Sequence, residues 1–439
     1  MNKVDDEIKT ALDGAWHRQL AESSLERWLE ISAREGWGDI HAKLPLLISV
    51  FGSSWYFTRF IFFLGREVMP LIESADSTTF DMPSLVEDLD GLDPQDEPEL
   101  QLEQLRLKKN GVMLQILICY LSGQLSQKRT EQALTCLASA TLLKMLEVFD
   151  LIVPSASHYR IAVLGMGRMA GYEMTFGSDL DLIFLHEDLS GDAGYELSRK
   201  IRLLLRHLAV ASSAGNLYEV DMRLRPHGTS GALLTTLDSF LEHHKADREI
   251  WERQIMTRCR PVLDRDSLGK TALNEIEPYI FSMFDADYLR SEILNMRKRV
   301  EFEKGSDQGR LNVKQGRGGL MDIDFITHFL QLSHGNSTPE VRTCSTRQAL
   351  EILAEEGLMP AEMSGQLLNA YDFLKQVEAC IRLFDMKSIS TISAKSGANW
   401  PVSIAMGYGD DVNGFMQRYR SVVDNVRGHF DEIFENPQK

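Results

Sequence analysis

The chain has 439 residues, a formal net charge of −17, 44% apolar residues and 25% charged residues. That length allows two or three domains with ordinary cores, and the usage is that of a globular protein. The acidic balance argues against a nucleic acid as the main partner, because phosphate-backbone binding draws on a surplus of Lys and Arg.

The opening MNKVDDEIKT lacks the apolar core of an export signal. Leu44 to Leu64 is the most hydrophobic window, but Pro45, Gly52, Ser53, Ser54 and Arg59 interrupt it. A bilayer span needs roughly 20 largely uninterrupted apolar residues, so the window predicts a buried helix pair and no membrane partner. The acidic stretch Glu73 to Glu103, with Pro83, Pro94 and Pro98, reads as a solvated connector or a run of short helices. Two helical stripes follow, one through Leu102, Leu105, Val112, Ile116 and Tyr120, the other through Leu134, Leu137, Met145 and Phe149. The five cysteines, Cys119, Cys136, Cys259, Cys344 and Cys380, stand singly. That spacing favours reduced thiols in a cytoplasmic protein over a disulfide framework or a zinc site.

At Ile161 the period changes. Ile161 to Leu164, Asp181 to Leu185 and Leu217 to Leu224 predict strands of one sheet, with an amphipathic helix through Leu197, Ile201, Leu204 and Leu208 between the second and third. From Ile276 the pattern is helical again, with stripes through Phe325, Phe329 and Leu332 and through Leu367, Tyr371, Leu374, Ile381 and Phe384. The expected fold class is α+β, mostly helical, with a compact α/β unit from Arg160 to about Asp266.

Gly165, Gly167 and Ala170 after the first strand match a dinucleotide-binding turn, with Glu187 as its ribose-binding acid. That fold needs a helix of several turns next, and Gly171, Thr175, Gly177 and Ser178 interrupt the interval. The competing reading starts from Asp179 and Asp181. Alternation along a strand puts both carboxylates on one face and turns Leu180 and Leu182 into a core. Such a pair repels itself unless a cation sits between, and Mg²⁺ prefers a few carboxylates plus water and phosphate oxygens. In Glu219 to Pro226 the same alternation predicts Asp221, Arg223 and Arg225 on one face, a third acid beside two phosphate-seeking forks. The plainer alternative is a salt-bridge ladder.

Two further stretches stand out. Lys314 to Phe325, KQGRGGLMDIDF, leads glycines into a helix start carrying Asp322 and Asp324. Its free N–H groups are candidates to meet an anion with help from Lys314 or Arg317, against a tight turn whose acids suit the helix dipole. Trp251 to Arg260, WERQIMTRCR, is a basic amphipathic segment, either lining a substrate cleft or forming an ordinary surface element.

Taken in order, LGMGRMAGYEMTFGSDLDLIFL, YEVDMRLRPHGTSGALL, WERQIMTRCRPV and KQGRGGLMDIDF resemble the glutamate-ammonia-ligase adenylyltransferase family, more weakly from about Trp28 to Phe434. The family joins two similar halves, and this chain resembles one, more like the C-terminal adenylylating half. The resemblance implies a polymerase-beta-type nucleotidyltransferase domain at 156–270 between an N-terminal helical region at 1–155 and a C-terminal helical bundle at 271–439. It implies Mg²⁺-dependent transfer of AMP from ATP to a tyrosine of glutamine synthetase. The PII signalling protein and glutamine would be effectors, and neither nucleic acid nor membrane a partner. Asp179, Asp181 and Asp221 would be catalytic and hold two metal ions. Gly167, Arg168, Gly171, Gly177, Ser178, Arg223 and Arg225 would line the nucleotide. Two alternatives stay open: phosphate-driven removal of AMP, and a regulatory module whose nucleotide grip has decayed at Ala170, where the family has glycine.

Overall fold

The computed structural model describes residues 3–37, 43–93, 95–154, 159–187, 189, 192–246, 249–304, 306–307 and 309–435. The molecule is built around a small sheet covered by helices on both faces. Its strands are β1 (Ile161–Met166), β2 (Leu180–His186), β3 (Val220–Asp221), β4 (Leu234–Thr236) and β5 (Cys259–Asp264). β1 runs antiparallel to both β2 and β5, while β3 and β4 pair in parallel with successive parts of the other edge of β2.

Why β1 reads as an uninterrupted apolar run is clear from its surroundings. Ile161 and Val163 join the core beneath the N-terminal helices, whereas Ala162, Leu164 and Met166 join the core beneath the C-terminal helices. β2 divides in the same way, with Leu180, Leu182 and Phe184 on the first side and Ile183 and Leu185 on the second. A strand buried on both faces has no polar side to alternate with. Fully burying each such aliphatic side chain contributes about 1.5–3 kcal/mol.

The hydrophobic window forms the expected helix pair, Leu44–Ser53 and Trp55–Leu64. Ser54 breaks them because its side chain accepts from the Phe57 N–H and caps the second helix. Among the described residues no helix is long and apolar enough to cross a membrane. The acidic stretch holds short helices, among them Met82–Asp88, before the long Pro98–Leu121 and Gln127–Ile152 helices. The predicted 197–208 stripe lies on the Asp192–Ala209 helix. All five cysteines are free.

The structure adds to or departs from the sequence reading at three points. The third predicted strand shrinks to Val220–Asp221, because the chain turns at once through Arg223 to Pro226. β4 and β5 have no counterpart in the sequence reading. The basic 251–260 segment is an Ile250–Met256 helix turning into β5, with Arg258 buried between them, and Trp251, Glu252, Ile255 and Met256 line a hollow with Arg223 and Arg225. Toward the C-terminus a second sheet forms from β6 (Ser306–Asp307), β7 (Arg310–Asn312) and β8 (Thr391–Ser393). It is flanked by the Ala286–Lys304, Leu320–His334, Ala361–Asp385 and Val412–Phe434 helices.

Candidate active site

Asp179 stands one residue before β2 and Asp181 is the second residue inside it. Leu180 and Leu182 between and beyond them are fully buried, so the alternation that pairs the two acids holds. β3 exists to pair with this end of β2, and it sets Asp221 opposite Asp181 in the parallel register. Three carboxylates from two neighbouring strands therefore meet on the side of the sheet that faces the C-terminal helices.

The electrostatics follow from that meeting. Burial first, then the like charge of Asp179 and that of Asp221, push the Asp181 carboxyl up to about 6, partly offset by Lys314 and Arg168. Beside it, the Gly167 backbone adopts φ +53°, and a Cβ there would stand 3.4 Å from an Asp181 carboxylate oxygen. Glycine at this position lets the start of the short Gly167–Ala170 helix come up to the acid. That helix is only one turn long, and β1 and β2 are antiparallel, so the site is not a dinucleotide-binding turn.

Arg168 points from this turn to Glu378 on the Ala361–Asp385 helix, in a two-pronged pair at 2.9 and 2.7 Å. Glu378 also pairs with Arg382 at 3.1 Å and accepts from the Ser390 hydroxyl at 2.6 Å. Although burial opposes ionisation, Arg168 and Arg382 hold the Glu378 carboxyl well below the usual range. Sequence reasoning did not single out Glu378 or Arg382. Their signal was a charged i,i+4 pair inside the apolar run between Leu374 and Phe384. Lys314 also belongs here: Arg168 first, then burial, depress its ammonium to about 8, with Asp181 pulling the other way.

Of the other expected nucleotide groups, Gly177 and Ser178 line a small hollow together with Asp179. Gly171 packs against Arg258 and the Cys344 carbonyl, where a Cβ would come within 2.7 and 2.8 Å. Gly177, at φ +65°, lies against the Met386 and Lys387 backbone, where a Cβ would come within 2.7 Å. The Ser178 hydroxyl accepts from the Thr175 N–H at 3.0 Å and closes that turn. Ala170, the position of the suspected decay, is buried and offers its carbonyl to Arg260 at 3.0 Å.

Arg223 folds back onto both carboxylate oxygens of Asp221. Arg225 donates instead to the carbonyls of Met222, Thr229, Gly231 and Ala232. The shared face predicted for Asp221, Arg223 and Arg225 is thus absent, since only Asp221 is in a strand.

The anion-meeting helix start at Lys314 to Phe325 is likewise not formed. Asp322 accepts the Gly318 N–H at 2.7 Å, and the N–H groups of Gly319, Leu320 and Met321 go to the Gly316, Val313 and Lys314 carbonyls. Arg317 is exposed and pairs with Asp431 at 3.3 Å.

As they stand, no three His, Cys, Asp or Glu side chains among the described residues are set to hold a metal ion. The donor set nevertheless suits Mg²⁺: three acids converge, and burial together with the like charges of Asp179 and Asp221 raises the carboxyl of Asp181. The guanidinium of Arg223 occupies both oxygens of the third acid, and its side chain is 69% exposed.

Residues 74–275 match the family model for glutamate-ammonia ligase adenylyltransferase, and residues 289–434 match that for GlnD PII-uridylyltransferase. Among curated relatives, the chain is 28% identical over 339 residues to a bifunctional glutamine synthetase adenylyltransferase/adenylyl-removing enzyme of Streptomyces avermitilis, covering 76% of this chain and 34% of the relative. It is 31% identical over 294 residues to the enzyme of that description in Chromobacterium violaceum, covering 66% and 33%. For that of Corynebacterium efficiens the figures are 33% over 233 residues, covering 53% and 21%. The chain spans about a third or less of these relatives. The match to the glutamate-ammonia ligase adenylyltransferase model spans residues 74–275, the part of the chain that carries all three acids.

Proposed function

We propose that this chain transfers AMP from ATP to a tyrosine hydroxyl of glutamine synthetase. The tyrosine oxygen bonds to the α-phosphorus as the bond to pyrophosphate breaks, and the hydroxyl proton passes to a carboxylate, for which Asp221 is best placed. Asp179, Asp181 and Asp221 are the residues that would hold Mg²⁺, which when bound polarises the phosphate oxygens and neutralises charge on the leaving group. Gly167 lets backbone approach the acids, and Arg168 and Lys314 supply positive charge on the side of the C-terminal helices. Glu378 positions Arg168. Arg223 is released from Asp221 when the site fills.

The observation that carries this reading is the register of Asp181 with Asp221, which gathers three acids where burial and repulsion disfavour ionisation. The match of residues 289–434 to a PII-uridylyltransferase model supports adding the PII signalling protein as an effector, and the family resemblance adds glutamine. α-Labelled ATP incubated with unmodified glutamine synthetase is the test. Label should enter the synthetase with the unaltered chain and not with Asp179→Asn/Asp181→Asn. Label release from modified synthetase by phosphate, without any transfer from ATP, would reverse the assigned direction. Transfer by the double variant would remove the acids from the mechanism.

A further inference from the structure

The Ala361–Asp385 helix turns Glu378 and Arg382 toward Arg168, but its other side borders a cavity of about 630 Å³. That size lies within the range of small-molecule sites. Ile381 and Phe384 of the helix form one wall, Ile389 and Ile392 another, and Trp16 and His17 a third. The His17 ring lies 4.3 Å from that of Phe384, and burial lowers its pKa against the pull of Asp385, so it stands neutral at pH 7.

The charge of the lining sets this cavity apart. The chain carries 64 acidic and 47 basic side chains, yet among the described residues no carboxylate lines the cavity and two cations, Arg310 and Lys395, do. Both are exposed. An apolar hollow edged by an arginine and a lysine suits a molecule with an apolar body and a single carboxylate, since the arginine fork matches carboxylate geometry.

We infer that this cavity binds a small organic monoanion, an aromatic or branched-chain carboxylate, with its body against Trp16, Phe384 and Ile389 and its carboxylate toward Arg310 and Lys395. The inference goes beyond nucleotidyl transfer and does not depend on it. Its position is consequential, however. The Ile389 carbonyl accepts from Arg382 at 3.2 Å, and Ser390 next to it donates to the Glu378 carboxylate that holds Arg168. The wall is also anchored from behind, by the Ser54 hydroxyl on the Leu383 carbonyl at 2.8 Å. A ligand resting on Ile389 therefore touches the segment that orients Arg168.

Calorimetric titration of the full chain with phenylacetate, 2-phenylethanol and acetate tests this directly. Phenylacetate should bind with one-to-one stoichiometry and about tenfold or more tightly than either the uncharged or the truncated probe. Arg310→Glu/Lys395→Glu should weaken phenylacetate by about tenfold or more and leave 2-phenylethanol unchanged, because both side chains are solvent-facing. Phe384→Ala should weaken both aromatic probes, and circular dichroism melts verify that each variant is folded. Equal phenylacetate binding by the charge-reversed chain would overturn the inference. So would the absence of binding by phenylacetate and 4-methylpentanoate up to about 20 mM, a concentration far above useful ligand affinities. The readout needs no nucleotide or synthetase, so its failure and that of the transfer assay are separate results.

Discussion

Two pairs of aspartates in this chain share one spacing and have opposite fates. Asp179 and Asp181 sit at the start of a strand, where residues two apart share a face. Asp322 and Asp324 sit in the first turns of the Leu320–His334 helix, where residues two apart diverge. Divergence lets each helical acid find its own partners. Asp322 takes Arg297 at 2.5 Å and the Gly318 N–H, and Asp324 takes Arg258 at 3.1 Å and the Thr346 hydroxyl at 2.9 Å. Convergence denies the strand acids that outcome, and Asp221 from β3 adds a third like charge. The helical pair is neutralised by its own partners, whereas the strand pair stands beside a third like charge.

The sharpest way to break this comparison is to neutralise one acid of each pair. Asp181→Asn should reduce transfer by about a thousandfold or more, about 4 kcal/mol of barrier, while the chain stays folded. Labelled-ATP turnover measures it, and a loss under about tenfold would mean that Asp181 takes no part in the transfer. Asp322→Asn should act the other way, lowering unfolding free energy in guanidinium by about 3–4 kcal/mol because it leaves Arg297 buried without its counter-charge. A cost near zero would mean that the pair is solvated in solution.

The pH dependence sharpens the contrast further. Asp181 has a folded pKa of about 6 against an ordinary 3.8, so the stability from its protonation is complete below about pH 4 and lost as pH rises through 6. The ionised group then costs up to about 3 kcal/mol at pH 8 in the absence of a cation. Mg²⁺ should accordingly raise the melting temperature more at pH 8 than at pH 5, and Asp181→Asn should remove most of that difference. An equal Mg²⁺ effect at both pH values would argue that the ion binds elsewhere. The smallest effect belongs to Arg317→Ala. Its exposed pair with Asp431 should contribute about 0.5 kcal/mol or less, despite the charge that made Arg317 a candidate.

How much was legible in the sequence depended on the range of the interactions involved. The β1 and β2 strands, the buried helix pair and the Asp179/Asp181 face were readable because each follows from spacing within a few residues. Arg223 and Arg225 were misplaced because strand alternation was extended past Asp221, and the turn at Arg223 to Pro226 overrode it. What crowds Gly171 and Gly177 was not legible: Arg258 and the Cys344 carbonyl press on the first, and the Met386 and Lys387 backbone on the second. β4 and β5 escaped notice because their short segments form strands only through partners on β1 and β2.

By itself, then, the sequence determined which residues alternate, which helices are amphipathic and that two acids share a face, since these are properties of local backbone geometry. Tertiary structure alone decided that Asp221 stands opposite Asp181, that Glu378, 210 residues away in the chain, holds Arg168, and that Asp322 is a structural acid. Those outcomes rest on which distant charges burial brings together. No local pattern encodes that pairing.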